Sequence, residues 1–522
     1  MSVTRGVGSL LVVTQGILSA RYFGTSDQKD ALLVAHAIPS MVTTFLIGGI
    51  YSTLMVHLAE LGRTEGARGQ RTFTRRILGR VGLALLLPLS LVLLAPAWLV
   101  GLAAPGFPAE KAALAASLLR FTVFASIGLL FTAAVRCMFE IRGQFVVPAI
   151  VGMANPLACV VVLVAMVGGI GIYTLAVGPL LGVGLGLLAL VLLIPRYVTD
   201  PEGFHAMPAA ESTAGRERGF WIAFLPMSLG ANFGQINMVV DNAFASYLPT
   251  GSITMLGFAF VIISNAQMLT TLTFAEVAFS RLAASAAASA DDLGLRFRSQ
   301  VRHMLLLTAP LTIGALAFAT PLVRLLFERG AFTREATVGV VTALRAYAPG
   351  MFFLGYLTLF TLLLISKRRF ARISTTAAGI IVVNAVLDFV LMKAFGLTGI
   401  ALGTTITIVI HGTLLLGPVR RIIGKIQGPG DVAYLFRVMT SALLMGGLVL
   451  GFSTGFERWF GVDSQGARLA EVLLGLGLGA GSYLVALLVL QVREVESLVG
   501  RIAGPLTRFL AKRDISRGPD GH

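Results

Sequence analysis

Asn384 and Asp388 stand four apart in an otherwise apolar run, "NAVLD", and so share one face of any helix formed there. Asp241 interrupts a second apolar run, "VVDNAFASY", and Thr404 a third, "GIALGTT". An ionisable side chain at the centre of a membrane helix costs about 2.5–3.5 kcal/mol on insertion scales, so it should face a partner, a cavity or an ion. Two carboxylates, an amide and a hydroxyl make an all-oxygen set with no imidazole or thiolate. Oxygen donors suit hard cations, and carboxylates without a buried arginine need a cation or protons. The chemistry implied is a coupling site for Na+ or H+. A rival reading pairs Asp388 with nearby Lys393 and leaves Asp241 to cap or hydrate.

Such a site needs long apolar helices to hold it, and the composition supplies them. The 522 residues are 56% hydrophobic and 13% charged, whereas a soluble domain is about 45–50% apolar and about 25% charged. Mean hydropathy is +0.85. Long apolar stretches recur along the chain, which defines a polytopic membrane protein. The fold class is all-α, with about 14 transmembrane helices: 6–23, 31–59, 77–104, 114–138, 145–168, 171–195, 220–247, 252–280, 302–327, 337–366, 373–395, 398–419, 433–455 and 468–491. The first lacks a cleavage pattern and leads into more spans, so it reads as a span and not a signal peptide. Cys137 and Cys159 lie in apolar runs without metal spacing and read as core residues.

A net charge of +16 points to nucleic acid only if the cations share one soluble surface. They do not. With the N-terminus in the cytoplasm, most of the 41 Lys and Arg fall in the connections on that side. One loop holds Arg63, Arg68, Arg71, Arg75 and Arg76, and the tail holds Arg508, Lys512 and Arg513. This is the positive-inside pattern. It places both termini in the cytoplasm and sets the basic loops against anionic lipid head groups. It argues against a nucleic-acid partner. No Walker motif and no nucleophile–base arrangement occurs, so the chain does not read as an enzyme.

The two halves echo each other. "ARYFGTS" from Ala20 is matched by "ASYLPTGS" from Ala245, and "PAWLVGLAAPGF" from Pro96 by "PLVRLLFERGAF" from Pro321, both at an offset of 225. Six spans separate the copies, so they run in the same direction. Parallel repeats of this kind build transporters whose lobes rock about a substrate site. The expected organisation is an N-lobe at 1–200, a linker at 201–219, a C-lobe at 220–425, two further helices at 426–492 and a basic tail at 493–522. Gln15, Thr43, Thr44, Gln235, Asn237, Asn265 and Gln267 crowd the first two spans of each repeat. They are candidates to line a wet cavity, though such side chains also bond between packed helices. His57 and His411 are isolated and read as structural. Arg136 and Glu140, four apart, read as a pair.

The stretches "ARYFGTSDQKDALLVAHAIP", "VVDNAFASYLPTGSI" and "PLVRLLFERGAFTREATVGVVTALRAYAPGM" resemble the MurJ/MviN lipid II flippases of the multidrug/oligosaccharidyl-lipid/polysaccharide exporter superfamily. The resemblance covers most of spans 1–12. It implies an inner-membrane protein of bacteria that moves a polyprenyl-diphosphate-linked peptidoglycan precursor by alternating access. It also implies a sodium site of Asp241, Asn384, Asp388, the Ile400 carbonyl and Thr404, and a helix-2 acid at Asp30. Spans 13 and 14 would offer an apolar groove to the lipid tail. The family's cavity arginines do not carry over: their positions hold Ser9, Gln15, Thr43, Thr44 and Val261. Arginine forks fit phosphate, so their loss weakens the hold on a diphosphate. Arg80 and Arg136, at the cavity mouth, are the candidates to replace them. The alternatives are a different lipid-linked oligosaccharide or exopolysaccharide, export of a small amphipathic cation, or a transport-dead scaffold for cell-envelope enzymes.

Overall fold

The computed structural model describes residues 2–200, 213–229, 233–268, 274, 290–367, 369–424, 428, 430–492 and 494–495. Most of the expected linker, the end of the eighth span and nearly all of the basic tail lie outside these. All regular structure among the described residues is helical, and each of the fourteen expected spans overlaps a helix. Eight helical stretches there are long and apolar enough to cross a membrane, nine if the bent pair Asp292–Ala317 and Ala319–Phe327 counts as one. Two of the eight, Val146–Tyr197 and Ala371–Ile423, run 52 and 53 residues. At about 1.5 Å per residue each is long enough for two crossings.

Those two stretches turn at matching points. Gly171 (φ 53°, ψ −130°) and Gly396 (φ 55°, ψ −129°) stand 225 residues apart. Both occupy a region that glycine alone enters without strain. The helices Asp27–Thr64 and Ser252–Gln267 begin at the same offset, as do Ala109–Glu140 and Arg334–Ser366. The repeat legible in the sequence is therefore a repeat of backbone geometry.

Two expected spans are broken where the sequence reading ran them straight. The span at 77–104 ends as a helix at Leu94 and restarts as Pro96–Ala103. Pro96 has no N–H to continue the ladder and suits the first helical position. Its counterpart breaks between Ala317 and Ala319, with a bend of 72°; Pro321 lies in the first turn of the second piece. Pro39 is instead tolerated inside Asp27–Thr64. It leaves the Ala35 carbonyl without its helical donor, and the Thr122 hydroxyl donates to that oxygen at 2.7 Å.

The chain forms two compact units that do not follow the chain halves. One comprises Met1–Ala259, Leu326–Ala343 and Phe370–Thr407; the other comprises Phe260–Leu325, Leu344–Arg369 and Ile408–His522. The first is packed around two apolar clusters. One gathers Ile50, Leu54, Phe73, Leu130, Phe139 and Phe220, and the other Leu32, Val100, Leu118, Leu119, Leu163 and Leu175. The second unit packs Asp431–Phe460 against Ala290–Ala317 and Gln465–Val489 through Leu305, Val438, Ala442, Met445 and Val472. Between its last two helices the Ser453 hydroxyl donates to the buried Glu471 carboxylate at 2.6 Å.

Candidate functional site

The residues singled out by type and spacing meet in the first unit. Asn384 and Asp388 lie on one face of Phe370–Ile423, as four-residue spacing requires, and both are fully buried. The Asn384 amide nitrogen donates to Asp388 Oδ2 at 2.6 Å and to Asp241 Oδ1 at 2.9 Å. One NH2 group thus bridges two carboxylates from different helices. Thr404 Oγ1 lies 3.2 Å from Asp241 Oδ2 and 3.3 Å from the Ile400 carbonyl. Lys393 takes no part in the carboxylate set: its ammonium sits 4.0 Å from the centre of the Phe389 ring. The rival pairing of Asp388 with Lys393 is not the arrangement found.

The set retains unused acceptors. Asn384 Oδ1 and Asp388 Oδ1 are buried and accept no hydrogen bond. Buried polar atoms are paired in the great majority of cases, and two nearby carboxylates sharing one neutral donor lack positive charge. Oxygens of carboxylate, amide, hydroxyl and carbonyl type are the donors a hard monovalent cation takes. A proton on one carboxylate would also relieve the charge. The residues present fit either.

One contributor was missed in the sequence. A Cβ at Gly403 would sit 2.4 Å from Asp388 Oδ1, so only glycine leaves room for the carboxylate. The repeat offset of 225 carries Asp241, Asn384, Asp388, Ile400 and Thr404 onto Gly16, Cys159, Leu163, Leu175 and Pro179. Cys159, Leu163 and Leu175 are buried. The polar set therefore belongs to one repeat, and apolar packing fills its equivalent in the other.

Asp30 lies elsewhere, in a clasp of loop ends within the same unit. It is 1% exposed and accepts four hydrogen bonds. Thr254 N (2.8 Å) and Oγ1 (2.6 Å) donate to Oδ1; Gly251 N and Lys111 Nζ (both 2.8 Å) donate to Oδ2. The carboxylate sits at the N-terminus of Ser252–Gln267, where the helix dipole favours negative charge. Lys111 also reaches Asp27 at 2.7 Å. Backbone approaches seal the clasp. A Cβ on Gly24 (φ +54°) would lie 2.2 Å from the Ala331 carbonyl oxygen, and one on Gly251 (φ +86°) 2.4 Å from that of Thr25. Ala331 N donates to the Arg21 carbonyl at 2.8 Å.

The other cavity candidates are scattered. Thr43 is buried, and its hydroxyl donates to the Pro39 carbonyl at 2.9 Å. Gln15, Thr44, Gln235 and Asn237 are half-buried, and Asn237 Oδ1 is buried without a partner. The Asn265 amide is used by the Val261 carbonyl. Neither arginine at the expected cavity mouth is free. Arg80 pairs with Glu217 at 2.5 Å. Arg136 pairs with Glu140, as its spacing predicts, and Glu140 also accepts from the Tyr51 hydroxyl at 2.5 Å.

Comparisons with known proteins bear on the family and the fold. The sequence profile described as "Lipid II flippase MurJ" matches residues 19–470. A Thermotoga maritima protein named "Probable lipid II flippase MurJ" is 26% identical over 495 residues, 94% of this chain and 95% of its own length. The "Lipid II flippase MurJ" of Burkholderia cenocepacia is 24% identical over 483 residues, covering 89% and 91%. The fold is similar to a solved structure titled "Lipid II flippase MurJ, inward closed conformation" (TM-score 0.76, 20% identity, 96% of this chain and 99% of that one). It is also similar to an inward-facing multidrug transporter of the MATE family (TM-score 0.68, 14% identity, 80% and 95%). With a profile match over most of its length, this membrane-embedded chain belongs to the MurJ family of lipid II flippases.

Proposed function

We propose that this protein moves lipid II, a polyprenyl-diphosphate-linked glycan, across the bacterial cytoplasmic membrane by alternating access. The observation that carries this reading is the family match over residues 19–470. The charge asymmetry of the loops supports both termini in the cytoplasm. The parallel repeat supports a cycle in which the repeats rock against each other. We further infer that Na+ or H+ drives the cycle through Asp241, Asn384, Asp388, Thr404 and the Ile400 carbonyl. A bound cation would supply the positive charge that this set lacks. Asp241 comes from Phe233–Ala245 and its partners from Phe370–Ile423. Neutralising the carboxylates therefore changes how firmly those helices hold together.

A second reading keeps the machine and changes the cargo. Ser9, Gln15, Thr43, Thr44 and Val261 occupy the positions where the resemblance implies arginine, and Val261 presents only an aliphatic side chain. A cavity without those forks favours another lipid-linked oligosaccharide, or a scaffolding role beside cell-envelope enzymes. A bacterial host depleted of its own lipid II flippase separates these. Supplied with this protein, it should recover lipid II at the outer leaflet; failure to recover it despite normal membrane insertion rejects lipid II as the cargo.

Gly403→Ala tests the polar set without touching a charge. The new methyl must push Asp388 aside, at a cost of about 1–3 kcal/mol for overpacking. The thermal midpoint of the purified protein should fall, and the gain on exchanging choline for Na+ should shrink. An unchanged gain would mean that Asp388 does not sense the ion.

A further inference from the structure

A second charged site lies in the same unit, apart from the carboxylate set and the clasp. It is a cavity of about 350 Å³ lined by Leu61, Glu65, Arg68, Phe73, Arg76 and Arg216, with Thr64, Gly69 and Thr72 between them. It sits where Asp27–Thr64 ends and where Gly66–Leu94 and Thr213–Leu229 begin. Two helix N-termini therefore lie beside it, where the helix dipole favours an anion; at the first, Ala67 N already donates to Asp200 Oδ1 at 2.6 Å.

The arginines carry the argument. Arg216 is only 5% exposed. Its Nη2 pairs with Glu65, while Nε and Nη1 are buried and donate to nothing. A buried guanidinium with two idle donors costs stability unless an acceptor arrives. Glu217 does not meet that need. It is held by Arg80 at 2.5 Å and lies 3.8 Å from Arg76. Three arginines thus line the cavity with one lining carboxylate, Glu65. Guanidinium forks match the oxygens of a phosphate group.

Leu61 and Phe73 give the cavity apolar surface as well. Phe73 lines the cavity, stacks on His57 at 5.8 Å and meets Phe220 edge-on at 6.0 Å. Farther along the same three helices is a second cavity of about 280 Å³, lined by Val42, Leu46, Val81, Leu85, Trp221 and Phe224 among others. From Arg76 to Ala84 is eight residues, about 12 Å of helix, which is within the length of an acyl chain.

We propose that the cavity at Arg68, Arg76 and Arg216 binds a phosphate group, carried by an anionic phospholipid whose acyl chain runs toward the second cavity. The site lies apart from the Asp241, Asn384 and Asp388 set, and its lining shares no residue with it. It gives the basic loop after the second span a specific lipid ligand in place of a diffuse attraction.

The test uses the full chain, purified in non-ionic detergent, and follows its thermal midpoint as ligand is added. The probes are phosphatidylglycerol, phosphatidylcholine with the same acyl chains, and inorganic phosphate. Phosphatidylglycerol should stabilise and phosphatidylcholine should not. Arg216→Gln and Arg68→Gln should each weaken the effect about tenfold, the loss of roughly one charge-assisted hydrogen bond. Glu65→Gln should strengthen it, by releasing Arg216 from its competitor. Arg68 is exposed, so its variant reports on binding even if the buried Arg216 proves necessary for folding. Equal stabilisation by inorganic phosphate would overturn the lipid as the source of the phosphate. The same response to phosphatidylglycerol in wild type and Arg68→Gln would overturn the site.

Discussion

Asp388→Ala is expected to abolish rescue of a flippase-depleted host and to erase the difference in thermal stability between Na+ and choline. Asp388 is fully buried and accepts one arm of the Asn384 amide. Deleting it strands that donor, at about 1–3 kcal/mol, and removes one of the two charges that call for a cation. An ion present at about 100 times its dissociation constant stabilises the folded state by about 2.7 kcal/mol. The variant should lose that increment as well as the hydrogen bond. Asp388→Asn divides the two effects. It keeps the shape and an acceptor for Asn384 but lowers the charge by one, so its base stability should stay near wild type while the Na+ increment disappears. Repeating the comparison at several pH values distinguishes the ions. A gain that follows Na+ at every pH assigns sodium, and a gain that follows pH at constant Na+ assigns the proton. Asp388→Ala with full rescue and an undiminished Na+ increment would remove this set from the coupling mechanism.

The polar set was legible because its signals are local. A carboxylate and an amide four apart in hydrocarbon define a helix face before any fold is known, and lone acids in apolar runs are too costly to be incidental. Gly403 was not legible. Its importance lies in what a methyl would strike, and that depends on the approach of Asp388 from fifteen residues earlier, around the turn at Gly396. The repeat announced itself through two loop motifs, but its sharpest trace is conformational, in the matched dihedral angles of Gly171 and Gly396. The helix breaks at Ala95 and Phe318 were hidden because hydropathy averages across them. Pro96 and Pro321, inside the repeated motif, carry the local signal. The clasp was invisible for a different reason. The resemblance marks Asp30 as an acid opening a span, whereas its partners Lys111, Gly251 and Thr254 come from a turn and the first turns of other helices, 81, 221 and 224 residues away. Which loop ends meet is set by the packing of whole helices.

Asp30→Ala is expected to open that clasp, and its effect should be among the largest of any single substitution in the first unit. Four donors lose their acceptor at once: two backbone N–H groups, one hydroxyl and the ammonium of Lys111. The Lys111 side chain is 9% exposed, and its remaining partner, Asp27, is 56% exposed, so the deletion strands a nearly buried cation. Removing one partner of a buried pair costs about 3–5 kcal/mol. Asp30→Asn should recover little of this, because a neutral amide neither balances the ammonium nor offers two acceptor oxygens. Amide exchange locates the damage: protection at Gly251 and Thr254 should collapse while the helices Ala109–Glu140 and Phe370–Ile423 keep theirs. Adding Lys111→Met to Asp30→Ala should restore part of the lost stability, since the stranded charge is then gone. It should not restore transport if the clasp must close in every cycle, because the capping of Ser252–Gln267 stays lost. Stability and transport recovering together in the double variant would show that the clasp matters only as a buried ion pair. Stability recovering alone would make the three hydrogen bonds by which Asp30 holds the second repeat part of the working cycle.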